Sequence, residues 1–314
     1  MAGFLLLVAS AVLLAGGAEL FAEHAGGAGR RLGVTALAIG LVLAGAEPEE
    51  LITAIVASAR HHPGIAAGDA IGANITMLTV VLGLAALARP LRFAGRVRLY
   101  ALAASAAGVA AALAMLGGGV GRVGGGVLTL LYVAGVAVVW WRERQPPAFG
   151  EAAELGEEGS ADTRSHASRR GWLAVLLVVA GIASMAVGGR LAVAGAERIV
   201  ASLDLAETVV GLSFVALATT AELFALVWAA ARRGVDELAL AGVLGSATYN
   251  ATATLGVAAL VRPLPVTGIG GQAWLAAALP ALLVAWTLLF KRIGRIGGMV
   301  LVGAYGCYLA FTFT

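Results

Sequence analysis

Lysine and cysteine each occur once in these 314 residues, as Lys291 and Cys307. The lone thiol excludes an intramolecular disulfide and any cysteine metal site, and Cys307 reads as a small apolar residue of the last hydrophobic run. Charged residues make up 12% of the chain and aromatics 6%, against 60% hydrophobic residues and a mean hydropathy of +0.93. So little charge excludes an ordinary soluble domain. No Ser-His-Asp set, zincin motif or paired-His metal motif is present, so no enzyme chemistry is indicated. The glycine-rich run 117–126 lacks the Gly-Lys-Ser/Thr of a phosphate loop. The net charge of +3 points to no nucleic-acid partner, because the charges sort by membrane side. Alternation of the porin type is absent, which excludes a transmembrane barrel.

What the chain does have is long apolar runs. A bilayer core of about 30 Å needs about 20 helical residues per crossing, and backbone groups in lipid must be satisfied internally. Ten spans are predicted, at about 4–24, 33–60, 65–88, 99–117, 123–141, 172–195, 205–231, 237–260, 272–290 and 296–313. Residues 1–20 look superficially like a signal peptide but lack a basic leader, and they are needed as a retained first helix. The loops after spans 1, 3, 5, 7 and 9 hold 16 of the 21 basic residues. The positive-inside rule makes that face cytoplasmic and both termini extracytoplasmic. The one long polar stretch, 142–171, contains Pro146-Pro147 and an acidic run followed by a basic one, and reads as a cytoplasmic linker. It divides the chain into five-span halves, 1–141 and 172–314, which an odd span count places in opposite orientations. Trp140, Trp141 and Trp172 flank the linker as interfacial anchors.

The halves repeat one another, with carboxylates at the centre of each copy. Glu50-Leu51 matches Glu222-Leu223, Arg60 matches Arg232, Gly72 matches Gly245, Gly83 matches Gly256, and Arg89-Pro90 matches Arg262-Pro263. This alignment carries a one-residue shift in the loop before Gly72. Acidic residues inside apolar helices cost a few kcal/mol each unless hydrated, paired or cation-bound, so two duplicated acidic sites indicate a cation pathway. Glu47 and Glu50 share a helix face, as do Thr219 and Glu222. A hard cation takes several oxygen ligands, and Gly45 and Pro48 predict a helix break that frees carbonyls beside Glu47. Asn74, Thr76, Ser246, Thr248 and Asn250 add side-chain oxygen, although helix–helix hydrogen bonding is an equal reading of each. Asp69 is a secondary candidate, within the span or at its outer mouth. Glu19, Glu23, Glu197 and Glu207 read as surface carboxylates. His166 lies in the linker. His61 and His62, just before Pro63, read as ordinary polar-loop residues ahead of proton sensing or metal capture.

These motifs resemble the cation/calcium exchanger superfamily of sodium/calcium and proton/calcium antiporters, whose repeats carry G-T-S-x-P-E followed by G-S-N-x-x-N/D. Residues 45–50 (Gly-Ala-Glu-Pro-Glu-Glu) and 72–77 (Gly-Ala-Asn-Ile-Thr-Met) hold the first pair. Residues 218–222 (Ala-Thr-Thr-Ala-Glu), one residue shorter, and 245–250 (Gly-Ser-Ala-Thr-Tyr-Asn) hold the second. The resemblance covers nearly the whole chain. It implies an all-α integral membrane protein of ten transmembrane helices in two inverted five-helix repeats, without a cofactor. It also implies exchange of Ca2+ for Na+ or H+ in the inner membrane, by rocking of spans 1 and 6 against the rest. The family glutamates fall on Glu50 and Glu222, with Glu49 as a one-residue alternative. Glu47, Thr219, Ser246, Asn250 and Asn74 complete the implied metal-ligand set. Two positions depart from the pattern: Met77 stands where the family has an amide, and Ala73 where it has Ser. One ligand is thus missing and one carboxylate, Glu47, is extra. The close carboxylates favour proton exchange. The departures also fit a different cation, or a non-transporting scaffold derived from an exchanger.

Overall fold

In a computed structural model the described residues are 1–31, 47–93, 97–143, 167–233 and 236–314. The first part of the second predicted span, 33–46 with Gly45, and most of the linker lie outside them. The first half contains α1 (Ala2–Arg31), α2 (Pro48–Ala59), α3 (Pro63–Thr76), a π-helical turn at Met77–Val81, α4 (Leu82–Ala88), β1 (Leu91–Arg92), α5 (Val97–Ala114), β2 (Gly119–Val120) and α6 (Arg122–Glu143). The second contains α7 (Ala167–Leu203), α8 (Glu207–Val210), a π turn at Gly211–Val215, α9 (Ala216–Thr219), α10 (Ala221–Arg233) and α11 (Asp236–Tyr249). A π turn at Asn250–Thr254, α12 (Leu255–Val261), β3 (Leu264–Pro265), α13 (Gly270–Leu289), β4 (Arg292–Ile293) and α14 (Arg295–Thr312) complete it. Six helices among the described residues are long and apolar enough to cross a membrane, and the bent pair formed by Glu207–Thr219 and Ala221–Arg232 can serve as a seventh.

The internal repeat is cleaner in the fold than in the sequence. Pro48, Pro63, Met77, Leu82, Leu91, Val97, Gly119 and Arg122 each open an element 173 positions before its counterpart, at Ala221, Asp236, Asn250, Leu255, Leu264, Gly270, Arg292 and Arg295. The one-residue shift expected before Gly72 is therefore absent. Burial agrees, since Leu223, Val227, Ala230 and Ala231 are buried on α10 where Glu50, Ala54, Ala57 and Ser58 are buried on α2. In this frame Glu222 corresponds to Glu49, and Glu50 corresponds to Leu223. The Glu-Leu match slips by one because Glu49 and Glu50 are adjacent, so Glu222 can be set against either.

Two short strand pairs tie the halves together. β1 pairs antiparallel with β4 through Leu91 and Ile293, and β2 pairs with β3 through Val120 and Leu264. Moving by 173 positions turns one pairing into the other. Gly119 has φ +140° and lies against the Leu264 carbonyl, a conformation that L side chains rarely adopt. The helices pack through small residues, as in other membrane bundles. Gly83 meets Gly298, and its counterpart Gly256 meets Gly125. At the centre, α3 crosses the π turn at 211–215 so closely that a Cβ on Gly72 would stand 2.7 Å from Leu212 Cα.

Outside this core, α1 and α7 form a two-helix unit. Gly3 packs on Gly195 and Ile199, Gly17 on Gly181 and Met185, and Ser184 donates to the Leu13 carbonyl at 2.8 Å. Leu5, Val8 and Val12 on α1, and Leu176, Val179 and Ile182 on α7, are exposed, as lipid-facing residues must be. Against α2 the fit is somewhat less close: a Cβ at Gly189 would stand 3.3 Å from Ile52, whereas one at Gly17 would stand 2.7 Å from Met185.

Gly72→Ala should force α3 from the 211–215 turn and cost about 1–3 kcal/mol. Gly242→Ala, on α11 where nothing lies within 4 Å, should be tolerated. Thermal unfolding in detergent separates the two; equal midpoints would refute the close crossing.

Candidate functional site

Each half starts a helix at its acidic residues. Proline at the first position of a helix gives up no hydrogen bond, and Pro48 opens α2 with Glu47 just before it at φ −103° and ψ 75°. In the second half α9 ends at Thr219, Thr220 is non-helical, and α10 starts at Ala221 after a bend of 46°. Glu49 and Glu50 thus occupy the first turn of α2, and Glu222 the first turn of α10. The positive end of each helix dipole favours carboxylates there.

The start of α2 brings polar groups from four elements together. Glu50, 1% exposed, faces Glu47, Asp69 and Glu49, with its carboxyl within hydrogen-bonding reach of Glu47. Asp69 on α3 is 0% exposed and accepts a hydrogen bond from Thr219 Oγ1 at 2.9 Å. Asn250, which opens the π turn after α11, donates Nδ2 to Glu47 Oε2 at 3.3 Å. Its own Oδ1 accepts from Thr254 Oγ1 at 3.1 Å, so the amide orientation is fixed. A π turn widens the helix locally and often marks functional positions. Here one such turn places Asn250 and Thr254, and its counterpart begins at Met77. Carboxylate, amide and hydroxyl oxygens in one buried cluster are the donors that hard cations take. Among the described residues no group of three or more His, Cys, Asp or Glu side chains is placed to hold a metal ion by itself.

A profile of the sodium/calcium exchanger protein family matches residues 2–141 and 173–314. The chain belongs to that family. It is 28% identical over 317 residues to the putative antiporter CaxA of Alkalimonas amylolytica, covering 96% of both chains. It is 26% identical to inner membrane protein YrbG of Escherichia coli, over 99% of this chain and 94% of that one. Among solved structures it resembles the sodium-calcium exchanger NCX_Mj determined with Na+ and Sr2+, with 25% identity, a TM-score of 0.62 and 98% of each chain covered. The protein is therefore a multi-pass membrane member of an antiporter family, and that family's proteins are transporters rather than enzymes.

The residues singled out in the sequence separate into groups. Glu47, Glu49, Glu50, Thr219 and Asn250 converge at the first break. Glu222 sits half-buried at the equivalent position of the second half. Ser246, 0% exposed, lies one turn before Asn250 on α11. Asn74 is buried and donates Nδ2 to the Ala247 carbonyl at 3.0 Å, which joins α3 to α11. Thr76 reaches Tyr305 Oη at 3.4 Å, and Thr248 bonds its own helix at the Leu244 carbonyl. Two members stand out only in the fold. Asp69 is central rather than at the mouth, and its three-residue spacing from Gly72 was the available signal. Thr254 lies four residues after Asn250, a helical neighbour that its spacing shows.

Thr219→Val keeps the shape and removes the donor to Asp69. The loss should be about 1–3 kcal/mol, the cost of leaving a buried group unsatisfied, and Thr219→Ser should restore most of it. Chemical or thermal unfolding in detergent measures both; a neutral Thr219→Val would show that Asp69 does not depend on this bond.

Proposed function

We propose that this protein exchanges Ca2+ for Na+ or H+ by alternating access. The observation that carries the reading is the buried set of mixed oxygen donors at broken helices. Glu47, Glu50 and Asp69 meet Thr219 and Asn250 where residues of two breaks and a π turn converge. Glu222, Glu49, Ser246 and Asn74 complete the proposed ligand set. Coupling ions and substrate would compete for the same carboxylates. An empty site is costly inside a membrane, so return without a counter-ion is disfavoured.

The proposed architecture is ten spans in two inverted five-helix repeats, joined by a cytoplasmic linker in the inner membrane, with both termini outside. The constant displacement of 173 positions and the exchanged strand pairs support this arrangement. The α1/α7 unit, sealed internally by glycines and fitted less tightly to α2, is the proposed moving body. Names among the relatives agree, since an antiporter and a sodium/calcium exchanger match this chain.

One observation favours a second reading. Met77 is fully buried where the second half has Asn250, and a thioether is a poor partner for a hard cation. A scaffold that has lost transport would tolerate this.

The deciding experiment is 45Ca2+ uptake into proteoliposomes under an imposed Na+ gradient and, separately, a pH gradient. Flux under one gradient, lost in Glu50→Gln and Glu222→Gln proteins that still fold, establishes the exchanger and identifies the counter-ion. No flux under either gradient, with correctly folded protein, would favour another cation or the scaffold. Flux insensitive to pH at a fixed Na+ gradient would exclude proton coupling.

A further inference from the structure

The outer loop between α2 and α3 carries a polar cluster that the ion site does not use. His62 Nε2 lies 2.9 Å from Glu197 Oε1 on α7, and its Nδ1 lies 2.8 Å from Glu207 Oε1 at the start of α8. Arg60, at the end of α2, also approaches Glu197, at 3.6 Å. His61, held at φ 71°, turns the other way and contacts Arg262 Nη1 at 2.7 Å, at the end of α12. Asp204 lies in the connection between α7 and α8. His62 therefore sits between two carboxylates on two different elements, only about a quarter exposed, with Arg60 as the neighbouring cation.

A ring with an acceptor oxygen at each nitrogen is satisfied only when both nitrogens carry a proton. Neutral imidazole has one N–H, so one of the two carboxylates would then face a lone pair. The same geometry argues against metal capture, because the two nitrogens point apart and no single ion could meet both carboxylates through them. Both carboxylates also have other surroundings: Glu207 Cβ packs beside Gly64, and Glu197 answers Arg60.

We propose that His62 is a positioning residue for transport. As an imidazolium it latches the outer end of α7 to the α2–α3 loop and α8, and it releases α7 when it loses its proton. The inference rests on the α1/α7 unit being the moving body, as proposed above. Imidazole is the side chain that changes charge between about pH 5 and 8. The sign follows: external acid holds α7 against the core and slows exchange, and external alkali frees it.

Two measurements test this. In a Cys307→Ser background, spin labels on Ser202→Cys (exposed on α7) and Gly121→Cys (the opposite outer loop) report the separation of α7 from the core. A single narrow distance is expected at about pH 6 and a broader, displaced distribution at about pH 8, with this difference lost in His62→Gln. An unchanged distribution across that range, or a change that survives intact in His62→Gln, overturns the latch. In proteoliposomes, exchange should slow several-fold as outer-face pH falls, and less so in His62→Gln; identical pH profiles would overturn the transport role. A total absence of exchange under every gradient would defeat the exchanger reading and with it that transport role, while the distance measurement still decides whether the latch exists.

Discussion

Everything in this molecule is arranged around carboxylates in the interior of a membrane protein. Each costs a few kcal/mol unless hydrated, paired or bound to a cation, and the first break alone gathers Glu47, Glu49, Glu50 and Asp69. The fold answers with specific devices. Pro48 starts a helix whose positive end faces the acids, Thr219 donates to Asp69, and Asn250 donates to Glu47 while Thr254 fixes its orientation. These devices reduce the cost without supplying a full positive charge.

Duplication supplies the scaffold, and divergence supplies the chemistry. Backbone elements from α2 to α6 recur from α10 to α14 with one displacement, down to the strand pairs and the glycine crossings Gly83–Gly298 and Gly256–Gly125. The polar residues do not recur in the same way. Asp69 has Gly242 as its counterpart, Glu50 has Leu223, and Asn250 has Met77. The acidic load is therefore shifted toward the first half, with Thr219 and Asn250 of the second half acting as its partners. The frame is thus repeated while its polar cluster is not.

The small residues set how closely the helices of this frame pack. Gly72 against Leu212 locks α3 onto the 211–215 turn, which keeps the ligand-bearing core rigid. The α1/α7 pair is equally tight within itself and meets α2 somewhat less closely at Gly189. Polar ties across that seam, such as those of His62 and Glu197, therefore carry weight that buried apolar contacts carry elsewhere.

The sequence alone determined that this is a helical membrane protein built from two similar halves, because apolar length, basic-residue distribution and duplicated glycines are local or additive signals. It also picked out Glu47, Glu50, Thr219 and Asn250, since acids and amides in apolar runs are conspicuous. Only the tertiary structure decided which residues meet. The register of the repeat depended on where each helix breaks, which set Glu222 opposite Glu49 instead of Glu50. The central place of Asp69 depended on Thr219, 150 positions away, and the cluster at His62 depended on two carboxylates more than 130 positions distant. Contacts of that separation arise when packed helices bring faces together, and spacing along one chain carries no record of them.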